Sequence, residues 1–272
     1  MTSRSEIDRR EGRGLFGLDP AGYDQARPEY PDEVFALLEA RCHLGPGSRI
    51  FEIGPGSGLA TRRLAQLGLA SILAIEPDPR FRPLLESIAV ETGAAIEVQV
   101  QAFEQADLPA ESFDLGVAAT SFHWVAAGPG LVKAAAALRP GGWWAMWWNV
   151  FGDPTRPDPF HDATHHILEP LAPSPSQGEK PGTPYALDFE ARQAEIESVP
   201  GFYGVEAHEW RRTVVLGSEQ VRALYATFSS IARLEERERI KVLDAISDVA
   251  MSRFNGRVER LIVTALYMAK RR

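Results

Sequence analysis

The run FEIGPGSGLATRRLA, residues 51–65, decides how the rest of the chain is read. Its apolar start continues RIFEI at 49–53 and has the length of a strand, while Leu59, Ala60, Leu64 and Ala65 recur at helical spacing. Gly54, Gly56 and Gly58 stand at the junction. Glycine there permits backbone dihedrals and a close ligand approach that a side chain would block. A glycine turn between a strand and a helix is the context that a ligand-cradling loop requires. Working outward, strands are predicted at 49–53, 71–76, 95–102, 113–119 and 143–150, with helices over 59–66, 79–92 and 131–138. That alternation is the pattern of a parallel sheet with crossover helices. In the last strand Trp143, Ala145 and Trp147 face one way and Trp144, Met146 and Trp148 the other, so both faces must be covered and the strand is central.

The chain has 272 residues, 44% hydrophobic and 24% charged, which is enough for one large core without disulfide or metal. The single cysteine, Cys42, excludes an internal disulfide framework and leads to the expectation of a cytoplasmic protein. A net charge of −8 opposes attraction to a phosphate backbone, so no nucleic-acid partner is expected. No apolar run is long enough to span a bilayer, and residues 1–14 read as a loose arm rather than a targeting segment.

From Phe151 to Pro184 the composition changes, with eight of the twenty prolines in these residues. Proline at that density argues against a regular helix and for a lid leaving the end of a sheet strand. Beyond it, 204–216 reads as a strand, Ser218 as the N-cap of a helix, 236–254 as a second helix stopped by Asn255-Gly256, and VERLIVTALYMA as a closing strand. The expected organisation is an arm and core over 1–150, a Pro-rich lid over 151–203, and C-terminal strands of the same sheet over 204–272 with a helical cap at 217–256.

A dinucleotide loop would carry a third glycine at position 59, which is Leu59. Glu52, just before the loop, would repel a pyrophosphate but suits a ligand with an ammonium and a sulfonium. Glu76, at the end of the next strand, has the place from which a carboxylate accepts both ribose hydroxyls. These features favour S-adenosylmethionine over a nicotinamide cofactor.

At this point the sequence resembles the class I S-adenosylmethionine-dependent methyltransferases. FEIGPGSG is similar to their first motif, AIEPD to the ribose-binding acid, LPAESFDLGVAATSFHWV to the fourth-strand motif and LRPGGWWAMW to the turn entering the fifth strand. YDQARPEYP together with FHWV points to the methyltransferase type 11 subgroup that includes trans-aconitate methyltransferase-like enzymes. The resemblance implies an α/β fold: a Rossmann-like, doubly wound, mainly parallel sheet with an antiparallel last strand and an inserted helical cap. It implies that Glu52, Gly54, Pro55 and Gly56 line the methionine part of the cofactor, that Glu76 holds the ribose, and that Pro77 packs beside the adenine. The family's adenine-contacting Asp is replaced here by Ala102, so the backbone of Phe103 or the carboxylate of Glu104 stands in. Tyr23 and Arg27 would fold over the methionine carboxylate; a salt bridge at a helix start is the other reading of Arg27. Ser121, Phe122 and Trp124 would lie where the methyl group meets the acceptor, with Trp124 on the acceptor side.

His123 is the candidate catalytic residue, either a base titrating near neutral pH or a polar wall of the pocket. His161, His165 and His166 lack a third reliable ligand, so no metal is expected and they face solvent or substrate. The expected activity is methyl transfer to a nucleophilic oxygen, nitrogen or carbon of a small molecule, leaving S-adenosylhomocysteine. The alternatives are an NAD(P)-dependent oxidoreductase and a non-catalytic S-adenosylmethionine-binding protein. Oligomeric state is not legible in the sequence.

Overall fold

Each of the five strands predicted between residues 49 and 150 forms, with some bounds shifted, in the computed structural model, which describes residues 5–272. The strands are β1 (Arg49–Ile53), β2 (Ser71–Ile75), β3 (Ile96–Gln99), β4 (Phe113–Ala119), β5 (Leu138–Phe151), β6 (Phe202–Gly217) and β7 (Arg257–Arg271). They form one sheet in the order β3-β2-β1-β4-β5-β7-β6. β1 to β5 pair in parallel, and β7 runs antiparallel to both of its neighbours. The fold is the Rossmann-like, doubly wound sheet with an antiparallel last strand.

Alternation of side chains along the strands divides the core in two. On one face Phe51, Ile53, Trp144, Met146 and Trp148 pack with Leu131, Ala134 and Ile196 of the helices Ala127–Ala137 and Phe189–Glu197. On the other, Ile50, Ala145 and Trp147 pack with Leu38, Leu64 and Leu85 of the helices Asp32–Cys42, Leu59–Ala65 and Arg82–Thr92. A third core, at the far ends of β6 and β7, joins Phe160 to Val221, Tyr225, Ile246, Ala250 and Val258.

Several boundaries differ from the sequence reading. β5 begins at Leu138, where a helix was expected to end, because Leu138 already pairs with Phe113; Leu115 then pairs with Trp143, so residues 139–142 bulge from the ladder, with Gly141 at φ 80°. β3 is short, as befits an edge strand. The helix Ser218–Ala226 is capped by Gly217 rather than Ser218: the Gly217 N–H donates to Gln220 Oε1 at 2.8 Å. The Pro-rich segment does contain a regular helix, Pro159–Leu168. Its proline lies in the first turn, where the missing N–H costs nothing, and Asp158 accepts from the His161 N–H at 3.0 Å.

The arm is not loose over residues 5–14; the remainder of that expectation, residues 1–4, lies outside the described residues. Ile7 is 2% exposed and its N–H donates to the Pro173 carbonyl at 3.0 Å. The short helix Arg9–Arg13 then crosses the ends of the parallel strands. Gly12 sits so close to the Trp124 ring that a Cβ would come within 2.1 Å of it. No helix among the described residues is long and apolar enough to cross a membrane.

Trp147 is fully buried between Tyr30 and Phe35. Trp147→Ala is expected to lower the unfolding free energy by about 3–5 kcal/mol in urea denaturation, and Trp143→Ala, at the partly covered end of β5, by less than half of that.

Candidate active site

The strand order reverses between β1 and β4, and a crevice opens there at the carboxyl ends of the strands, where open α/β sheets bind ligands. A cavity of about 380 Å³ occupies it.

The floor is made by three strand ends. After β1 the chain turns through Gly54 (φ 61°), Gly56 (φ 57°) and Gly58 (φ 87°). At Gly54 a Cβ would meet the Ser121 Cβ at 2.8 Å, whereas at Gly56 it would meet nothing within 4 Å and would take up cradle space. The Ser121 hydroxyl donates to the Ile53 carbonyl, tying β4 to β1 beneath the loop. Glu76 follows β2 and is 4% exposed. One carboxylate oxygen accepts from the Gly56 N–H and the other from the Asp78 N–H, each at 2.9 Å. Burial outweighs those two bonds and pushes the Glu76 carboxyl up to about 7.

Glu52 is buried more deeply still and does not line the cavity. One of its oxygens accepts from Thr61 Oγ1 at 2.7 Å and the other has no partner. Burial pushes its carboxyl up to about 7 as well, although the Thr61 bond opposes the rise. Of the other sequence candidates, Tyr23, Arg27, Gly54, Pro55, Gly56, Glu76, Pro77, Phe103, Ser121, His123 and Trp124 all line the cavity. Ala102 and Phe122 do not: Ala102 caps the turn Phe103–Gln105, and Phe122 lies in the core, its ring centroid 5.1 Å from that of Trp144.

Arg27 is sandwiched between rings, its guanidinium 5.1 Å from the Tyr23 centroid and 5.2 Å from that of Phe228. It donates to the Thr227 carbonyl at 3.1 Å, and its Nε has no partner.

His123 is 5% exposed, and its Nδ1 accepts from the Trp148 indole N–H at 3.0 Å. Indole nitrogen only donates, so Nδ1 carries no proton and the neutral ring holds its hydrogen on Nε2. Burial and the charge of Arg27 depress its basicity to about 3. The free nitrogen is therefore a donor, and the ring cannot take a proton near neutral pH. The reading of His123 as a general base does not fit this geometry, because the only lone pair is already engaged. The partner that decides this, Trp148, reads in the sequence as core packing; it also lines the cavity.

The roof comes mainly from the arm and the Pro-rich segment, through residues the sequence did not single out. Arg13 donates to both oxygens of Glu104, at 2.9 and 2.6 Å, and to the Trp124 carbonyl at 2.5 Å, bridging the ends of β3 and β4. Arg80 donates to the Gly14 carbonyl at 2.5 Å while gripping Asp78. Phe16 packs edge-on against both Tyr23 and Trp124. From the lid, Tyr185 stands 5.6 Å from Trp148 and 6.2 Å from His123, centroid to centroid, and burial keeps its phenol protonated. His161 lines the far part of the cavity, its ring 5.6 Å from that of His165. Among the described residues no group of three or more His, Cys, Asp or Glu side chains could hold a metal ion.

Residues 51–146, which contain the glycine loop, Glu76 and the Ser121–Trp124 segment, match the methyltransferase domain family. The chain thus carries a methyltransferase domain over those residues. The chain is 24% identical over 264 residues to an uncharacterized methyltransferase of Schizosaccharomyces pombe, over 94% of this chain and 96% of that one. It is 29% identical over 184 residues to an uncharacterized methyltransferase of Mycobacterium tuberculosis, over 59% of this chain and 72% of that one. Its fold is similar to that of a Haemonchus contortus phosphoethanolamine N-methyltransferase solved with phosphomonomethylethanolamine and S-adenosylhomocysteine, at 14% identity and a TM-score of 0.59. That likeness covers 97% of this chain and 60% of the other. The matched domain favours methyl transfer over the oxidoreductase alternative.

Two outcomes follow from the geometry. Arg13→Gln should raise amide hydrogen exchange over residues 9–18 by roughly tenfold or more, the loss of charge-assisted bonds worth about 1.5–3 kcal/mol, with global stability little changed. Imidazole ¹⁵N shifts should show His123 as a neutral Nε2–H ring from about pH 5 to 9; a titration near its ordinary value would contradict the Trp148 bond.

Proposed function

We propose that the methyltransferase acts on a small-molecule acceptor enclosed in this cavity, with Glu76, the Gly54–Gly56 loop, Tyr23 and Arg27 holding the cofactor. The observation that carries this reading is the continuity of the cavity: one space runs from the glycine loop to Trp148, Tyr185 and Phe228 beneath a roof made by the arm and the lid. A macromolecular acceptor would need an open groove, and the net charge of −8 disfavours a nucleic acid.

The residues present fit S-adenosylmethionine. Glu76, buried and lining the cavity, has lone pairs left for ribose hydroxyls beyond the two that Gly56 and Asp78 use. Gly56 leaves open the space that any side chain would fill. Arg27 makes no ion pair among the described residues and lines the cavity beside Tyr23, which suits a carboxylate there. Glu52, enclosed behind the loop, supplies negative charge rather than direct contact. The backbone of Phe103, the Pro77 ring and Phe81 form the wall for the adenine. When bound, the cofactor supplies a methyl group on a sulfonium that is already a good leaving group.

The chain's own task is then alignment and exclusion of water, which together provide effective molarities of roughly 10⁵–10⁸ M in well-oriented pairs. His123 and Trp148 act as a fixed unit: the indole holds the imidazole, and the imidazole offers Nε2–H to an oxygen or nitrogen of the acceptor. Neither His123 nor Tyr185 accepts a proton near neutral pH, so the acceptor atom enters already nucleophilic or loses its proton to water. A non-catalytic binding role is separated by turnover with an acceptor panel.

The raised Glu76 carboxyl gives the cofactor site a pH dependence. Below about 7 the protonated form dominates, and ribose hydroxyls donate best to the ionised form, so binding releases a proton. S-adenosylhomocysteine affinity should rise up to about tenfold from pH 6 to pH 8, with proton release seen as a buffer-dependent calorimetric enthalpy. A flat profile in the wild type, or one unchanged in Glu76→Gln, would remove Glu76 from the site.

A further inference from the structure

The surroundings of His123 select the kind of atom that can be methylated beside it. The Trp148 indole occupies Nδ1, so the hydrogen is on Nε2; Nε2 makes no hydrogen bond among the described residues and, unlike Glu52 Oε1, is not sealed from the cavity. The imidazole stands among rings, its centroid 5.1 Å from that of Trp124, 6.2 Å from Tyr185 and 6.5 Å from Trp148. Neighbouring donors are engaged elsewhere. The Tyr185 hydroxyl donates to Glu195 at 3.2 Å, the Asn149 amide to the Pro28 and Glu29 carbonyls at 3.1 Å, and the Ser121 hydroxyl to the Ile53 carbonyl.

Lone pairs then decide between nucleophiles. A neutral amine nitrogen has one, and accepting from Nε2–H would occupy the pair that must attack the methyl carbon. An oxygen accepts from Nε2–H and still has a pair for the methyl group.

Charge and proton balance narrow the oxygen further. Among the described residues that line the cavity Glu76 is the only carboxylate, and Arg13 and Arg260 are already paired, with Glu104 and Asp158. A protonated amine away from Glu76 therefore meets no counterion, whereas an anion meets the positive sulfonium that the cofactor brings. His123 and Tyr185 accept no proton near neutral pH, so an ordinary alcohol would keep its hydrogen. The oxygen must be acidic enough to ionise into water. One fixed imidazole N–H matches a charge centred on one oxygen; a carboxylate divides its charge over two and asks for a second donor.

We propose that the acceptor is an acidic phenol bound as its oxyanion, with the oxygen held by the His123 Nε2–H and the ring lying among Trp124, Trp148 and Tyr185. This rests on the reading of the cavity as a methyl-transfer site. The phenol gives its proton to water; the oxygen–methyl bond forms as the methyl–sulfur bond breaks, and the electron pair of that bond stays with sulfur. A hydrogen bond to the ionised form makes the bound phenol more acidic than the free one.

The test uses the full chain loaded with S-adenosylhomocysteine, which has no methyl group to give, and titrates nitrophenols of graded acidity, whose neutral and ionised forms absorb at different wavelengths. Matched nitrobenzylamines and nitrobenzoates are the comparison probes. The bound nitrophenol should ionise about one pH unit or more below the free one, which is a roughly tenfold preference for phenolate over phenol. That shift should vanish in His123→Phe and be largely kept in His123→Gln, whose amide can accept from Trp148 and donate to the oxygen. S-adenosylhomocysteine binding reports that each variant is folded, and the wild-type shift is a test without them. An unshifted or reversed ionisation, tighter binding of the nitrobenzylamines or nitrobenzoates, a shift that survives His123→Phe, or no probe binding at all would overturn the phenol assignment while leaving the cofactor site standing. Failure of the wild type to bind S-adenosylhomocysteine would overturn the methyl-transfer reading itself, and the phenol assignment with it.

Discussion

Two carboxylates held out of water at the ends of neighbouring parallel strands set the terms for everything around them. Glu52 and Glu76 sit where the sheet order reverses, and burial, as the largest cause, pushes both carboxyls up to about 7, so that each stands between its charged and neutral forms at physiological pH. A fold with no use for them would replace them with apolar side chains, since an unsatisfied buried carboxyl oxygen such as Glu52 Oε1 is costly. Glu76 lines the cavity, where the proposed ribose hydroxyls would meet it, and Glu52 lies behind the loop. The glycine loop follows from the same constraint: Gly56 must bring its N–H to Glu76, and Gly54 must pass Ser121 without a Cβ.

The second half of the design is closure. Arg13 and Arg80 draw the arm across the strand ends, and the lid brings Tyr185 onto Trp148 and His123. Inside that enclosure the Trp148–His123 bond converts an imidazole, usually read as a base, into a donor. Methyl transfer from a sulfonium tolerates the loss of a base well, because positioning supplies most of what the reaction needs. The same enclosure explains why the aromatic residues of β5 have two roles: Trp144 and Trp147 are pure core, while Trp148, one position on, turns from core to cavity wall.

Much of this was legible in the sequence because strand and helix periodicities and a glycine loop are local signals. The parallel strands, the two-faced β5 and the cluster of Gly54, Gly56, Glu76, Ser121 and Trp124 at one cavity come from such signals. The residues that were missed depend on contacts distant in sequence. Arg13 pairs with Glu104 across 91 positions, and Arg260 shares the cavity with Arg27 only after the sheet is assembled. The helix Pro159–Leu168 was obscured by counting prolines instead of asking where in a helix each would fall. Glu52 was placed against the ligand by its position before the loop, but strand alternation turns it away, toward Thr61 and the opposite core.

The central claim is that the crevice between β1 and β4 is a site for S-adenosylmethionine with Glu76 on the ribose. Calorimetric titration with S-adenosylhomocysteine and, separately, NADH measures it most directly. The account predicts micromolar binding of S-adenosylhomocysteine, lost in Glu76→Ala, and none of NADH. Binding of NADH alone, or S-adenosylhomocysteine affinity indifferent to Glu76, would contradict it.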